Sequence, residues 1–213
     1  MDILSILLLF VVLLFVSFGV FAFWFTRRQG RRGEKQMRLL SARLGLVAEK
    51  HTRCLGGVPK VAGEFEGRAV QIVEKTSGGA EQNRTDFEMT TQCENVHKRS
   101  LMLTREGIFE KLGKAFGGQD IQVGNEMIDK KLIIKSDDVD FMQTFFNDKP
   151  FCEVLLNNCP NIKGTFMLNP TEIIYYEPLA GVSFKKKKRE RFEALVKLSN
   201  LIAQRVEAVS SLT

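Results

Sequence analysis

Histidine is nearly absent from this sequence: His51 and His97 are the only two in 213 residues. That scarcity limits the chemistry on offer. A base-assisted nucleophile usually leans on an imidazole, no G-x-S-x-G elbow is present, and none of the four cysteines sits in a catalytic context. One zinc-type set can be assembled from His51, Cys54, Cys93 and His97, the pairs being three and four positions apart. The long gap between the pairs, and the missing knuckle glycines, argue against it. No metal and no other cofactor is expected.

Other signatures are missing as well. The stretch GKAFGG, residues 113–118, has a Gly-Lys pair but not the spacing whose backbone amides cradle phosphates, and it reads as a helix end. Asp137, Asp138 and Asp140 lack the glycine and terminal glutamate of a calcium loop. They read instead as the start of a helix capped by Ser136 or Asp137, where carboxylates complement the positive end. Cys54, Cys93, Cys152 and Cys159 have no framework spacing, as expected of reduced thiols. The sequon Asn83-Arg84-Thr85 carries no weight in a domain that stays out of the secretory lumen. No tandem repeat is visible.

Charge is absent from one long stretch. Ile3–Phe25 is an uncharged run of Leu, Val, Phe and Ile. As a helix it spans about 34 Å, against a bilayer core of about 30 Å. Trp24 and Phe25 close the run at headgroup level. A cleaved signal would need a positive leading segment, a shorter core and small residues at a cleavage site. Asp2 is the only charge before the run, so a retained anchor is expected.

What is abundant is positive charge in two places. The net charge is +6. Arg27, Arg28, Arg31, Arg32 and Lys35 oppose Glu34 alone directly after the anchor. Lys185, Lys186, Lys187, Lys188, Arg189 and Arg191 oppose Glu190 alone near the other end. The rest of the domain holds a small excess of acid, which excludes a broadly basic nucleic-acid-binding face. Basic flanks stay in the cytoplasm. The expected topology is a single-pass bacterial inner-membrane protein with its N-terminus outside and its C-terminal domain cytoplasmic. The division is 1–26 anchor, 27–36 basic juxtamembrane linker and 37–213 cytoplasmic domain. Gly30 and Gly33 make the linker either a flexible link or a bent helix.

The domain reads as α+β: a mixed or antiparallel sheet packed with helices, ending in a long amphipathic helix. Met37, Leu40 and Leu44 give a helical stripe that Gly45 ends. Val61–Phe65 and Ala69–Val73 form a hairpin about Glu66-Gly67. A half-buried strand carries Phe87 and Met89, and Leu101–Thr104 is another. Residues 106–118 are ambiguous, and the segment from residue 119 reads as a strand, a turn or bulge at Gly124-Asn125, and a second strand, Lys131–Lys135. Phe141, Met142, Phe145 and Phe146 mark a buried helical face, and Phe151–Leu156 a short helical turn. GTFMLN and EIIYYE flank Pro170-Thr171 as a last hairpin. Phe192, Leu195, Leu198, Ile202, Val206 and Val209 recur three and four apart to the end.

The segment GGQDIQVGNEMIDKKLIIKSDD, preceded by LTREGIFEKLGKAFG, resembles a group of uncharacterised bacterial membrane-anchored proteins. The layout of one span, then ARLGL, then a β-rich part is similar too. The resemblance implies a cytoplasmic domain on an anchor and transfers no functional residue.

The second basic run raises a physical question. Cations at a helix N-terminus oppose its dipole by roughly 0.3–1 kcal/mol each where exposed. An anionic surface would compensate, and the cytoplasmic leaflet attracts nearby Lys and Arg by about 1 kcal/mol each. The expected function is therefore a non-enzymatic, membrane-tethered interaction or scaffold domain. Its lipid- or partner-binding residues are Arg27, Arg28, Arg31, Arg32, Lys185, Lys186, Lys187, Lys188, Arg189 and Arg191. A solvated helix face is the bland reading of the second run. An accessory subunit of a membrane complex, bound to a protein partner, and an enzyme with an unrecognised site are the rival functions. No nucleic acid is expected, and the sequence identifies no small-molecule substrate.

Overall fold

The computed structural model describes residues 3–49, 60–77, 84–106, 119–179 and 184–211. Helix α1 (Ile3–Leu44) runs without a break from the apolar run into the domain. It passes through Gly30 and Gly33 as regular helix, so residues 27–36 are helical throughout. At 1.5 Å per residue it is roughly 63 Å long. Its described apolar part from Phe10 onward is exposed, and it is the one helix among the described residues long and apolar enough to cross a membrane. Past the basic stretch, Gly33, Met37, Leu40, Ser41 and Leu44 share a buried side. Gly45, at φ +69°, ends the helix as its left-handed cap.

Among the described residues nine strands form one sheet in the order β1-β2-β3-β4-β9-β8-β5-β7-β6, and every neighbouring pair is antiparallel. The strands are β1 (Val47–Ala48), β2 (Val61–Phe65), β3 (Arg68–Ser77), β4 (Arg84–Gln92), β5 (Leu101–Arg105), β6 (Gln119–Asp120), β7 (Leu132–Ser136), β8 (Thr165–Leu168) and β9 (Glu172–Leu179). The β2–β3 hairpin turns at Glu66-Gly67, both at positive φ, as a tight two-residue loop requires. Val70, Ile72, Phe87, Met89, Ile173, Tyr175, Phe166, Leu103 and Ile134 occupy alternate positions on one buried face.

The helices pack the core. The last of them, α5 (Lys186–Ser210), lies against β4, β9 and α1. Its Phe192, Leu195, Leu198, Ile202, Val206 and Val209 are buried as their spacing predicts. Three departures from the sequence reading have local causes. Residues 119–136 hold a short helix, α2 (Glu126–Lys131), between β6 and β7 rather than a simple turn. The Asn125 side chain caps it by accepting from the amides of Met127 and Ile128. The cap of α3 (Val139–Phe146) is Asp138, which accepts from the Phe141 amide at 2.8 Å. Asp137, one residue earlier, accepts instead from the Ser100 amide and hydroxyl at 3.0 and 2.6 Å. Finally, Phe151–Leu156 belongs to a ten-residue helix, α4 (Lys149–Asn158), capped by Asp148 with Pro150 in its first turn.

A cationic cleft between the first and last helices

Helical geometry sorts the first basic cluster into two stripes. Phe25, Arg28, Arg32 and Gln36 follow one another at intervals of three and four and line one side of α1. Arg27 and Arg31 are turned roughly 100–150° around the helix from that side. Across from the first stripe lies the start of α5, which presents Phe184, Lys185 and Lys186. These seven residues enclose a cleft of about 600 Å³. Arg28 and Arg32 are thus brought together with Lys185 and Lys186, although more than 150 residues separate them in sequence. Lys187 is exposed beside them.

Two cross-links hold the walls of the cleft in place. Arg189 donates from Nη1 to Gln36 Oε1 at 2.9 Å, and Arg43 pairs with Glu193 at 3.2 Å. Phe184 is buried by a ring cluster, with centroids 5.4 Å from Phe87 and 5.6 Å from Phe192. On the other side, the Arg28 guanidinium lies over the Trp24 ring, 4.9 Å from its centroid.

The second basic run divides into an outer and an inner half. Lys185, Lys186 and Lys187 are exposed. Lys188, Arg189 and Arg191 turn into the protein. The carboxylate that receives Lys188 and Arg191 is Glu177, on the buried parity of β9, with a side chain 7% exposed. Arg191 donates to both of its oxygens, at 2.5 and 2.6 Å. Lys188 Nζ lies 3.4 Å from it, and the Tyr175 hydroxyl donates to it at 3.0 Å. Lys188 Nζ also sits 4.4 Å above the Phe87 ring.

Burial pushes the Glu177 carboxyl up, but the Arg191 hydrogen bonds and the charges of Arg191 and Lys188 outweigh it and hold the group below its ordinary range. Burial likewise pushes Arg191 down and Glu177 more than restores it. For Lys188 burial wins over the attraction of Glu177, and its ammonium is held below the usual lysine range. Arg191 is therefore the principal partner of Glu177.

The dipole problem at the head of α5 is thus met on the inside by Glu177. It is not met on the outside. The first turn of α5 carries no acid and its N-cap, Lys185, makes no side-chain capping bond. Among the described residues the cleft lining contains four cations and no carboxylate. Lys186 reaches Glu190 only at 3.8 Å, in an exposed pair. The arrangement can hold an anion, and the exposed Phe25 gives that anion an apolar neighbour.

The remaining sequence candidates are spoken for or lie elsewhere. His51, Cys54, Asn83 and residues 113–118 fall outside the described residues. Cys93 is buried, donates weakly to the Ala203 carbonyl at 3.8 Å, and has its pKa pushed up to about 12 by burial, with Glu207 adding to it. His97 is exposed, with Nε2 3.3 Å from the Ser210 carbonyl. Asp138 pairs with Arg99 at 3.1 Å besides capping α3. Among the described residues no three His, Cys, Asp or Glu side chains gather as metal ligands would.

Glu177, Gln36 and Phe184 were not singled out by the sequence. Glu177 did leave a signal: it continues the inward parity of Ile173 and Tyr175, where an acid needs a buried cation. Phe184 directly precedes the basic run, but nothing local marks it as a wall of a cleft.

No family model matches the chain, and no curated protein matches it. Among solved structures it is similar to the crystal structure of the mycobacterial trehalose monomycolate transport factor A, TtfA. The TM-score is 0.44 at 14% identity, over 81% of this chain and 96% of that one. Similarity at this level assigns no activity.

Proposed function

We propose that this protein is a non-enzymatic, membrane-tethered interaction domain, held against the anionic cytoplasmic leaflet by its outward-facing cations. The N-terminus lies outside, residues 3–25 cross the inner membrane, and the sheet domain stands in the cytoplasm. One observation carries the reading: Arg28 and Arg32 meet Lys185 and Lys186 in a single cleft where α1 leaves its apolar run. In this reading Arg27, Arg31 and Lys187 add to the attraction from the exposed surface. Lys188, Arg189 and Arg191 support it indirectly, by fixing the head of α5. The continuous α1 makes the spacing between bilayer and domain short and rigid, which favours surface contact over free tethering.

The test uses the full chain in nanodiscs, with an environment-sensitive probe at Lys187→Cys and a quencher on the lipid headgroups. Quenching should be stronger with phosphatidylglycerol than with phosphatidylcholine alone, and should fade at high salt. Equal quenching in both lipids at both salt levels would sink the reading. The topology is checked separately with reporters fused after Thr213. A reporter that works only in the cytoplasm should be active and an export-dependent one silent, and the reverse pattern would overturn the orientation.

A further inference from the structure

Resting on that reading, we propose that the cleft between α1 and the head of α5 is a discrete site for one anionic phospholipid. Its phosphate sits among Arg28, Arg32, Lys185 and Lys186, and its glycerol and upper acyl segments lie against Phe25. A diffuse attraction to the leaflet would need none of this arrangement. Four features set the cleft apart from a solvated basic patch.

The first is depth. Phe25 closes the apolar run, and along the helix axis Arg28 lies about 4–5 Å and Arg32 about 10 Å beyond it. The headgroup layer on each face of a bilayer is about 5–8 Å thick. The backbone positions of Arg28 and Arg32 therefore bracket the outer boundary of that layer, and their side chains lean back along the helix toward it. The second is register. Only Arg28 and Arg32 of the first cluster share the stripe that faces α5, while Arg27 and Arg31 look elsewhere. A guanidinium also binds phosphate oxygens in pairs, which a point charge does not.

The third feature is the mixed chemistry of the lining. Cations on both walls flank the exposed ring of Phe25, with the buried Phe184 behind the α5 wall. That combination matches an amphiphile better than a free inorganic anion. At about 600 Å³ the space falls within the range of about 300–1,000 Å³ usual for small-molecule sites. The fourth is rigidity. Gln36 is tied to Arg189, and Phe184 is locked in the Phe87–Phe192 ring cluster. The walls are formed before any lipid arrives, so little ordering cost falls on binding.

Native mass spectrometry of the full chain released from nanodiscs of phosphatidylcholine with a minority of phosphatidylglycerol tests the site. The wild type should emerge carrying one phosphatidylglycerol in preference to phosphatidylcholine. Two double variants remove equal charge from exposed positions of α1. Arg28→Gln with Arg32→Gln should lower that occupancy roughly thirtyfold, the equivalent of about 1 kcal/mol per cation. Arg27→Gln with Arg31→Gln should lower it less than about threefold, since those side chains are off the lining stripe.

Equal losses in the two variants, with headgroup quenching still dependent on phosphatidylglycerol, would overturn the discrete site and leave the broader membrane reading standing. No lipid preference together with no lipid dependence of quenching would overturn both. Displacement of the retained lipid by excess inorganic phosphate would assign the cations to a free anion and sink the lipid proposal.

Discussion

The inner half of the basic run makes the sharpest stability prediction. Glu177→Gln keeps the size and most of the hydrogen-bonding capacity of the side chain but deletes its charge. Arg191 and Lys188 would then lie side by side, their side chains only 10% and 13% exposed, with their common counter-ion gone. Removing one partner of a buried ion pair costs about 3–5 kcal/mol, because the remaining charge is stranded rather than because the pair was intrinsically strong. For a protein of this size that is a fall in Tm of roughly 6–20 °C. Thermal melting of the full chain in nanodiscs at pH 7 would read it.

Acid gives the same prediction a second axis. The folded-state pKa of Glu177 lies below its ordinary value, so its contribution is complete above the unfolded value and is lost as pH falls through the folded one. The gap between wild type and E177Q should therefore be full at pH 7 and close as pH drops below about 4.3. A companion variant separates stranded charge from lost shape. Glu177→Leu, Lys188→Met and Arg191→Met together replace the ion cluster with apolar groups of similar volume, and should recover most of the loss. An E177Q protein that melts within about 2 °C of the wild type at pH 7 would refute the reasoning. So would a gap that does not narrow in acid.

Two further changes probe the fold around the site. Gly164→Ala would put its Cβ 2.0 Å from the Tyr176 carbonyl oxygen, so β9 and the lead into β8 must part. A loss of roughly 1–3 kcal/mol in a denaturant melt is expected, and a neutral result would mean that the approach is looser than described. Cys93 should resist alkylation in the native protein. With its pKa pushed up to about 12, its thiolate fraction at pH 8 is on the order of a thousandfold below that of a free thiol. Peptide mapping after iodoacetamide should find it labelled only once the chain is unfolded. Equal rates with and without urea would contradict the burial.

Period and punctuation carried most of the fold. The spacing of Phe192, Leu195, Leu198, Ile202, Val206 and Val209 is a helix face on sight, and all six are buried in α5. Gly45 and Glu66-Gly67 sit at positive φ where their composition places a helix end and a hairpin. The short helix α2 was missed although its signals were written in order: Asn125 as cap, Glu126 and Asp129 in the first turn, Lys130 and Lys131 in the last. The strand that follows was legible from its apolar run, Leu132–Ile134, and β7 starts one residue after the expected Lys131. Beyond the β2–β3 and β8–β9 hairpins, strand order could not be read. The pairing of β4 with β9 joins Thr85 to Leu179 across more than 90 residues, and no local preference encodes such a pairing.

The site was legible as two clusters and illegible as one place. Composition shows that Arg27–Arg32 and Lys185–Arg191 are basic, but only the packing of α1 on α5 brings Arg28 and Arg32 opposite Lys185 and Lys186. Nor could a charge run announce its own division. Successive residues on a helix step by about 100°, so any run of seven must present some members to the core and some to solvent. Lys188 and Arg191, three apart, face inward together, and the chain supplies Glu177 for them from a strand. Lys185 and Lys186 precede them by about one turn and lie across the cleft from α1. The same run thereby does two kinds of work: its inner members fix the head of α5 to β9, and that fixed head gives the outer members a definite position beside the anchor. A membrane-facing charge on a frayed helix end would lose entropy each time it bound. In the proposed reading the buried ion pair has already borne that cost, and the inner half of the run prepares the outer half for the membrane.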